Sequence, residues 1–481
     1  MGNKMLGRQM LSNAEEAQAT PEEHTGSRKG FKAPLTVLNK RLYFDILRQL
    51  KQSGAILSND AKSCYDRIVH APASMGMQRW GVPPEAAVCM LSTIQNLEHK
   101  VKTAFGLSDL TYGGTKWQLP CHGIGQGNGA GPAIWLCVSS PIIASVRGEK
   151  RGIKLQKAIT KEKLYYIGFS FVDDTDLFIN TTGLDTPSWT QVCEELQSLV
   201  TQWEGGIWAT GGSIVPEKSF WSLIDFTWKQ GKWKYKKIKD TPWDIYVLDN
   251  HRQWTLLPRT EPNIGSKTLG VILAPDGNNK QAWESLLDMA SKWNEQVKTN
   301  HLQQPEAWFG LVHSVMKSME YPLLALTLTE QECDKLSSKL LDTALAATGV
   351  CRTIPKAVRE GPLRYNGLGL GNFYVKSGTA WLSTVQEYAS SSSATGKFLR
   401  NTWELLNLEV GTFHNVFSLP YTTWGHLAAS TWLTALWKFL SIQDILLLPT
   451  VIPLQPSCEQ DQSLMDLIVP GTSPDKSQAF N

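Results

Sequence analysis

Two short runs of aromatic and β-branched residues meet at an Asp-Asp pair, and no other feature constrains the fold of this chain as strongly. Residues 169–172 (Phe-Ser-Phe-Val) precede Asp173 and Asp174, and residues 175–179 (Thr-Asp-Leu-Phe-Ile) follow them. This pattern predicts a β-hairpin with the acids at its turn. Adjacent carboxylates repel each other, so a site that keeps both needs a compensating positive charge, commonly a divalent cation. A solvated turn without function is the alternative that this segment alone leaves open.

Three further segments place polar or glycine-rich patterns beside apolar runs. Residues 54–57 (Gly-Ala-Ile-Leu) lead into Asp60, which therefore lies where a strand would end. Residues 119–132 are rich in glycine and are followed by an apolar stretch over 133–146. Residues 211–219 (Gly-Gly-Ser-Ile-Val-Pro-Glu-Lys-Ser) place two glycines shortly before a lysine.

In this order, the segments resemble the palm motifs of reverse transcriptases of the kind carried by non-LTR retrotransposons. The spacing Asp-x4-Tyr-Asp that begins at Asp60 resembles the first motif, and residues 123–127 (Gly-Ile-Gly-Gln-Gly) resemble the second. Residues 171–174 (Phe-Val-Asp-Asp) resemble the third motif, and the glycines ahead of Lys218 resemble the fourth. Residues 268–271 (Thr-Leu-Gly-Val) resemble the primer-contacting hairpin that follows.

The resemblance implies an α+β fold of the right-hand polymerase type, with a palm of antiparallel sheet and packed helices and a helical thumb. Apolar residues recur every three or four positions over 189–203 and 283–297, which predicts one helix on the sheet and one in the thumb. Only 59 residues precede Asp60, so we expect truncated fingers. The expected domains are a disordered tail over 1–25, partial fingers over 26–57, a palm over 58–275, a thumb over 276–390 and an unassigned segment with a disordered tail over 391–481.

The acids suit the chemistry of primer extension. A primer 3′-hydroxyl attacks an α-phosphate, and two metal ions about 3.5–4 Å apart can stabilise the attacking and leaving oxygens together. Mg²⁺ or Mn²⁺ prefers oxygen ligands. The resemblance implies that Asp60 and Asp173 bridge two such ions and that Asp174 is an auxiliary acid. A helix cap is the alternative role for Asp60, and we interpret Asp176 as an ordinary hairpin residue.

Other side chains are expected to contact the nucleotide. The resemblance implies that Tyr65 blocks a 2′-hydroxyl and so selects deoxynucleotides, and that Gln126 and Gly127 pack on the template and the nucleotide. Lys218 is interpreted as a general acid towards the departing pyrophosphate or as a simple neutraliser of its charge. Arg28, or the lysine after it, is expected to contact the triphosphate, with a basic surface turn as the alternative.

Glycines are expected to bring the backbone close to primer and template. Glycine adopts positive φ and lets the chain approach a ligand closely, and Gly123 and Gly125 match such positions in the second motif. Leu269 and Gly270 match the primer hairpin. Gly125 stands where many relatives have proline, and Asn128 where they have serine, so we expect a more flexible loop.

Composition sets broad limits on the function. The chain has 481 residues, of which 42% are hydrophobic, enough for two or three domains with a substantial core. Its net charge of +3 does not by itself indicate a nucleic-acid-binding protein. Lysines alternate with Trp233 and Tyr235 in the run 229–239, which predicts a strand with one basic face. Phosphate contact and a plain exposed hairpin face are both open interpretations of this run.

Cysteine usage and hydropathy bear on the compartment. The eight cysteines form no C-x-x-C pair and the nine histidines are scattered, which indicates free thiols in a reducing compartment. The first residues do not resemble a signal peptide, and the apolar runs 133–146 and 445–454 are too short or too interrupted by proline to span a bilayer. We therefore expect an intracellular protein, cytoplasmic or nuclear, with no membrane partner.

Three hypotheses follow. The first is a retrotransposon-derived RNA-directed DNA polymerase that uses an RNA template, a DNA primer and deoxynucleoside triphosphates. The second is a catalytically inactive, truncated remnant that at most binds nucleic acid, which the short fingers favour. The third, an RNA-templated RNA polymerase, is disfavoured by Tyr65. Retention of Asp60, Asp173 and Asp174 favours the first, because a binding module has no use for clustered acids.

Overall fold

The chain has a mixed α+β architecture. The computed structural model describes residues 2–62, 64–113, 122–184, 187–412 and 414–447, without the side chains of 342 and 343. The helices are α1 Gly2–Glu16, α2 Ala33–Leu50, α3 Cys64–Arg67, α4 His70–Arg79, α5 Pro84–Gln95, α6 Gly131–Gly148, α7 Trp189–Ala209, α8 Lys280–Thr299, α9 Gln304–Gly310, α10 Met316–Glu320, α11 Glu330–Ala347, α12 Lys356–Glu360, α13 Phe373–Tyr388, α14 Ala394–Val410, α15 Tyr421–Trp424 and α16 Trp432–Ile442.

Most strands are short, and five of them form the central sheet in the order β15-β10-β1-β9-β8. The strands are β1 Gly54–Asp60, β2 Glu98–His99, β3 Lys102–Thr103, β4 Gly106–Leu107, β5 Tyr112–Gly113, β6 Ile153–Gln156, β7 Lys163–Tyr166, β8 Gly168–Phe171, β9 Asp174–Asn180, β10 Phe220–Ile224, β11 Phe226–Lys229, β12 Lys232–Tyr235, β13 Tyr246–Leu248, β14 Trp254–Leu256, β15 Arg259–Thr260, β16 Ser266–Thr268 and β17 Val271–Leu273. Strand β1 pairs antiparallel with β9 and β10, and β15 pairs parallel with β10. The remaining strands form two-stranded ribbons.

Both faces of the central sheet are buried. Side chains alternate along a strand, and Ile56 and Phe178 belong to one hydrophobic core while Leu57 and Leu177 belong to another. The first core also contains residues of α2 and of several helices after residue 280, including α14. The second core contains residues of α4 to α7. The sheet therefore lies between two helical layers, and only its strand ends can present polar side chains to solvent.

The strongest sequence predictions of secondary structure are confirmed. Strands β8 and β9 form the expected hairpin, in which Val172 and Asp173 are the turn and Phe171 pairs with Asp174. The stripes over 189–203 and 283–297 lie on α7 and α8, with their apolar faces buried. These patterns were predictable because each follows from a strict two-residue or 3.6-residue period.

The N-terminal segment differs from its prediction. Residues expected to be disordered within 1–25 include the helix α1, which buries Met10 and Ala14. Gly7 is buried with them on the same face of the helix. A Cβ atom added to Gly7 would lie only 2.9 Å from the Cα atom of Ala130. The helix forms here because this face of small side chains lets it pack against α6, which a composition of alanine and charged residues does not reveal.

The expected domain boundaries also differ from the elements. The limit at 57/58 falls inside β1, so the segment 26–57 supplies part of the central sheet. Helix α14, from the segment without assignment, packs against α2 in the first core. The polar tail expected at the C-terminus falls on 448–481, outside the described residues.

Helix α2 carries a buried charge cluster that joins distant parts of the chain. Asp45 lies 3.2 Å from Arg41 Nε and also pairs with Arg48. Its second carboxylate oxygen accepts a hydrogen bond from the backbone N–H of Trp432 at 2.7 Å. Arg48 donates to the carbonyl of Asp276 at 2.8 Å. One carboxylate thus fixes α2 to the start of α16 and, through Arg48, to the chain leading into α8.

Helix hydropathy and the cysteine thiols bear on two further predictions. No described helix is long and apolar enough to cross a membrane. Six of the cysteines are free thiols, and the other two, at 121 and 458, lie outside the described residues.

Replacing Phe178 tests the central packing. Its ring is fully buried, with ring centroids 4.5 Å from Tyr43 and 5.3 Å from Phe169. We expect Phe178→Ala to lower the free energy of unfolding by about 3–5 kcal/mol, because it removes buried surface and leaves a cavity. Chemical denaturation measures this, and Phe105→Ala, at a fully exposed ring, is the matched control. Equal stability of the two variants would contradict the packing.

Candidate active site

The register between β1 and β9 brings acids from distant segments together. Asp60 lies directly opposite Asp174, and Ser58 lies opposite Asp176. Paired residues of antiparallel strands project to the same face, so these side chains share the face that carries Ile56 and meets α2. The sheet therefore concentrates carboxylates at one end of one face.

The turn that carries Asp173 is held in a strained conformation. Val172 has φ +61°, which is unfavourable for a β-branched residue. Its carbonyl accepts a hydrogen bond from the indole N–H of Trp135 on α6. Gly26 packs against the Val172 backbone so closely that no Cβ fits. These contacts fix the turn from both sides and orient Asp173.

The segment expected to be the fourth palm motif lies beside the end of β1. The N–H of Val215 donates to the Asp60 carbonyl at 3.0 Å, and the Asp60 N–H donates to Ser219 Oγ at 3.2 Å. Lys218 Nζ then lies 3.3 Å from Asp60 Oδ2, with 71% of its side chain exposed. The ammonium is thus placed at the acids while it stays accessible from solvent.

The glycine-rich loop is tied to the short helix α3. Its backbone has left-handed φ values of +81°, +76° and +89° at Gly123, Gly125 and Gly127. The N–H of Ile124 donates to the Tyr65 carbonyl at 2.7 Å, and the N–H of Gln126 donates to Asp66 Oδ1 at 3.1 Å. Non-glycine residues rarely adopt this φ region, so the loop reaches α3 only with this sequence.

These elements enclose a cavity of about 620 Å³. Its lining residues are Asp60, Ala61, Lys62, Cys64, Tyr65, Gln126, Gly127, Asp173, Val215 and Lys218. Six of them are predicted site residues, taken from all four motifs. The structure therefore brings together side chains that the sequence separates widely.

The charges at this site influence one another. Partial loss of water, followed by the charges of Asp173, Asp176 and Asp60, raises the pKa of Asp174 to about 6, although much of its surface is exposed. Burial, followed by the charge of Asp173, raises the pKa of the Cys64 thiol to about 12. Burial also raises the pKa of the Tyr65 hydroxyl. The thiol of Cys64 and the hydroxyl of Tyr65 are therefore neutral at pH 7.

Some predicted residues lie outside this cavity. Gly123 and Gly125 line a neighbouring cavity of about 790 Å³, together with α1 and α5. Arg28 is not brought to the acids: its guanidinium bonds Glu15 at 2.9 Å and the carbonyls of Pro21 and His24, and it lies over the Phe31 ring. Its charge is held by structural contacts of the N-terminal segment.

The residues expected to form the primer hairpin make a tight turn that Lys40 links to Asp176. Leu269 and Gly270, at φ +46° and +87°, connect β16 and β17. The Tyr321 hydroxyl donates to the Leu269 carbonyl at 2.8 Å. Thr268, which precedes the turn, accepts a hydrogen bond from Lys40 Nζ at 2.8 Å. The turn is therefore held from one side by the residue that follows α10 and from the other by α2.

Lys40 is the central residue that the sequence did not identify. It is 1% exposed, and its ammonium lies 2.9 Å from Asp176 Oδ1 and 3.2 Å from Ser58 Oγ. Together with Thr268, these contacts tie α2, the acid-bearing strands and the hairpin turn into one network. Asp176, expected to be an ordinary hairpin residue, is a buried member of this network. The available signal was that α2 is apolar on every side, so its charges must be buried and paired.

The acids provide the oxygen donors that Mg²⁺ and Mn²⁺ prefer. Asp60 and Asp173 line the same cavity, and Asp174 lies across from Asp60 in the strand register. Across the described ranges, no three His, Cys, Asp or Glu side chains converge closely enough to hold one ion. The donor chemistry of these side chains therefore fits the expected ions.

Comparisons with known proteins returned only remote structural similarity. No protein-family model and no curated protein matches the chain. It is similar to telomerase from Candida albicans in complex with the TWJ fragment of telomeric RNA, with 11% identity, a TM-score of 0.33, and coverage of 82% of this chain and 58% of that one. It is similar to apo telomerase from Candida tropicalis with 10% identity, a TM-score of 0.34, and coverage of 83% and 60%. The chain thus spans less than two thirds of these telomerase chains, and similarity at these scores supports no inference about function.

Removing Lys40 tests the buried network. We expect Lys40→Met to cost about 3–5 kcal/mol of stability, because it leaves the Asp176 carboxylate buried and unpaired. The double variant Lys40→Met/Asp176→Leu should recover most of this loss, since it removes both charges. Denaturation curves measure both effects, and Lys267→Met, at an exposed lysine beside Thr268, is the control. A single variant as stable as the control would contradict the network.

Proposed function

We propose that the chain is a reverse transcriptase that extends a DNA primer on an RNA template with deoxynucleotides. The observation that carries this proposal is the meeting of all four motifs at one cavity, with Asp60, Asp173, Tyr65, Gln126 and Lys218 lining it. A nucleotidyl-transfer site needs clustered acids, a cation and a pocket for a base and a sugar, and these residues supply each part. The resemblance of the motif order supports a retrotransposon origin and an intracellular location as parts of the same proposal.

Two carboxylates are assigned to the metal ions. Asp60 and Asp173 would hold Mg²⁺ or Mn²⁺, with Asp174 as the auxiliary acid. When bound, the ions supply charge stabilisation for the attacking and leaving oxygens. The β1–β9 register and the fixed turn keep these carboxylates close despite their repulsion. Their concentrated negative charge is the reason for assigning the ions here.

Lys218 is assigned to the leaving pyrophosphate. Its ammonium lies 3.3 Å from Asp60 Oδ2 and is largely exposed at the cavity. A cation in this position stabilises negative charge that develops on a leaving phosphate. Its three N–H donors also allow it to give a proton to the departing oxygen.

Tyr65 is assigned to sugar selection. Its ring lines the cavity and packs 3.3 Å from the Cβ position of Gly131, at the start of α6. Its backbone carbonyl is held by the N–H of Ile124. A ring fixed in this way cannot move aside at low cost, so a 2′-hydroxyl in the same space would clash with it. This favours deoxynucleotides over ribonucleotides.

The nucleic-acid strands are assigned to the two glycine turns. The loop 123–127 would contact the template, because its backbone is exposed at Gln126 and Gly127 beside the cavity. The Leu269–Gly270 turn would contact the primer. Lys40 fixes that turn to the strands that carry the acids. A primer end held by the turn would then have a defined distance to the acids.

Asp173→Asn tests the catalytic assignment. We expect primer extension on poly(rA)·oligo(dT) with dTTP and Mg²⁺ to fall by more than about a thousandfold, since an amide cannot replace the charge of the carboxylate. Melting temperature should stay within a degree or two, because the turn is held by backbone contacts. Asp288→Asn, at an exposed acid on α8, is the control. Wild-type extension by Asp173→Asn would refute the assignment.

Tyr65→Ala tests the sugar gate. We expect the ratio of kcat/KM for dTTP over UTP to fall at least about tenfold, because removing the ring opens space for the 2′-hydroxyl. Tyr65→Phe keeps the ring and should keep the selectivity. If both variants discriminate as the wild type does, Tyr65 is not the gate.

A further inference from the structure

The end of the central sheet opposite the acids is basic and aromatic. Strand β1 begins at Gly54, which pairs with Asn180 and Ile224, and ends at Asp60. Seven residues of strand separate the two ends by about 20 Å. The β11–β12 hairpin follows directly after Ile224, and the β6–β7 hairpin is bonded to Asn180 through the N–H of Lys154 at 3.1 Å. Both hairpins therefore project from the end that the proposed chemistry does not use.

The β11–β12 hairpin, residues 226–239, separates aromatic from basic side chains. Trp228 lies opposite Trp233, and Phe226 lies opposite Tyr235. All four rings share one face, while the other face carries Lys229, Lys232 and Lys234. The segment contains six lysines and no acidic residue.

The outer half of the aromatic face is open to solvent. Phe226 and Tyr235 pack on the first core, but Trp228 is 58% and Trp233 49% exposed. Their ring centroids are 5.3 Å apart, with an angle of 71° between the planes. Lys229 and Lys232 flank the turn that follows this indole pair and project to the opposite face. A strand that wraps around the tip of the hairpin therefore meets stacking surfaces on one face and positive charge on the other, the combination that binds single-stranded nucleic acid.

A lysine-lined cavity lies at the β6–β7 hairpin. It measures about 440 Å³, and its described lining contains no acid. The lining residues are Lys150, Lys154, Leu155, Gln156, Lys163, Leu164, Tyr165 and Thr182. None of its three lysines forms an ion pair with the described residues. The cavity therefore presents three lysines together with the Thr182 hydroxyl and the Gln156 amide, which suits phosphate.

The chain at the start of β1 connects the two features. Gln52 donates to Thr182 at the lysine cavity, and Lys51 lies 5.9 Å from the Phe226 ring centroid at the base of the β11–β12 hairpin. Two acids flank the lysine segment. Asp225 is neutralised by Lys236 at 2.6 Å and is also bonded to Ser53. Asp240 accepts a hydrogen bond from the backbone N–H of Lys237 at 3.0 Å and lies within electrostatic range of Lys229. Strands β9 and β10 flank β1, so their ends are about 10 Å apart. The bases of the two hairpins thus lie within the span of a few nucleotides.

We infer that the two hairpins form an accessory binding site for single-stranded nucleic acid, with bases stacked on Trp228 and Trp233 and backbone phosphates at the lysines. This inference rests on the proposed function only in assuming that the chain acts on nucleic acid. The distance of this site from Asp60 means that it holds a strand outside the catalytic cavity. A cross-strand indole pair also stabilises a hairpin by itself, so the test needs a binding readout.

The first test neutralises the lysines. The variant Lys229→Gln/Lys232→Gln/Lys234→Gln should bind a fluorescein-labelled 30-nucleotide single-stranded RNA about tenfold or more weakly than the wild type, measured by anisotropy without nucleotides or metal. The slope of log K against log salt should fall by about 2, since each lost phosphate contact removes about 0.7. Lys154→Gln/Lys163→Gln should act in the same direction. The charge-matched control is Lys298→Gln/Lys335→Gln/Lys438→Gln, at exposed lysines on α8, α11 and α16.

The second test separates stacking from hairpin stability. We expect Trp228→Ala to weaken binding at least about fivefold, because a stacked base is lost. Trp228→Phe keeps a stacking ring and should restore most of the affinity. Equal binding by these two variants would show that the ring does not contact bases.

The two proposals fail in different ways. Binding by the lysine variants within twofold of the charge-matched control would overturn the accessory site, whether or not the chain extends primers. A different outcome is that the lysine variants bind RNA weakly while the wild-type chain extends no primer. This outcome would support the accessory site and count against the polymerase. In an active enzyme, extension on a short primer–template should stay within twofold of wild type in Lys229→Gln/Lys232→Gln/Lys234→Gln.

Discussion

The structure depends on how a β-sheet holds like charges side by side. Asp60 and Asp174 face each other across β1 and β9, and Asp173 is fixed in the adjoining turn. Repulsion among carboxylates opposes this arrangement. Partial desolvation, followed by the charges of the neighbouring carboxylates, raises the pKa of Asp174 to about 6. Strand pairing, rather than the side chains themselves, keeps the acids together. A shift of the β1–β9 register by one residue would turn Asp60 to the opposite face of the sheet and separate it from the other acids.

Buried charges connect this sheet end to the rest of the molecule. Lys40 pairs with Asp176 on the acid-bearing face, and on the same helix Asp45 holds Arg41 and Arg48. Burying ions costs several kcal/mol each, and an ion pair repays this only with good geometry and further hydrogen bonds. Both clusters have such bonds, although Arg41 Nε and Nη1 in the second cluster make no hydrogen bond to the described residues. Lys40 donates to the Thr268 hydroxyl in the first, and in the second Asp45 accepts from the Trp432 N–H while Arg48 donates to the Asp276 carbonyl. Helix α2 thereby sets the position of the Leu269–Gly270 turn and of α16 relative to the sheet.

Much of this architecture was predictable from local patterns. The β8–β9 hairpin, α7 and α8 follow from periodicity, and motif order predicted six of the residues that line the cavity at the acids. The network around Lys40 was not predictable, because its partners lie 18 to 228 residues away in the chain. Arg28 shows the reverse case: a basic residue in a suggestive place whose charge is taken up by Glu15. Helix α1 was missed because its buried stripe consists of small residues rather than large apolar ones.

The central claim is that these carboxylates bind divalent cations when primer, template and nucleotide are in place. Mn²⁺ titration followed by electron paramagnetic resonance measures this directly, on the full chain with a terminated DNA primer, an RNA template and the next deoxynucleoside triphosphate. The account predicts two bound Mn²⁺ per complex, and fewer in Asp60→Asn under the same conditions, because Asp60 is assigned as a ligand of both ions. Equal Mn²⁺ occupancy in the wild type and Asp60→Asn would contradict the claim that these acids form a metal-dependent polymerase site.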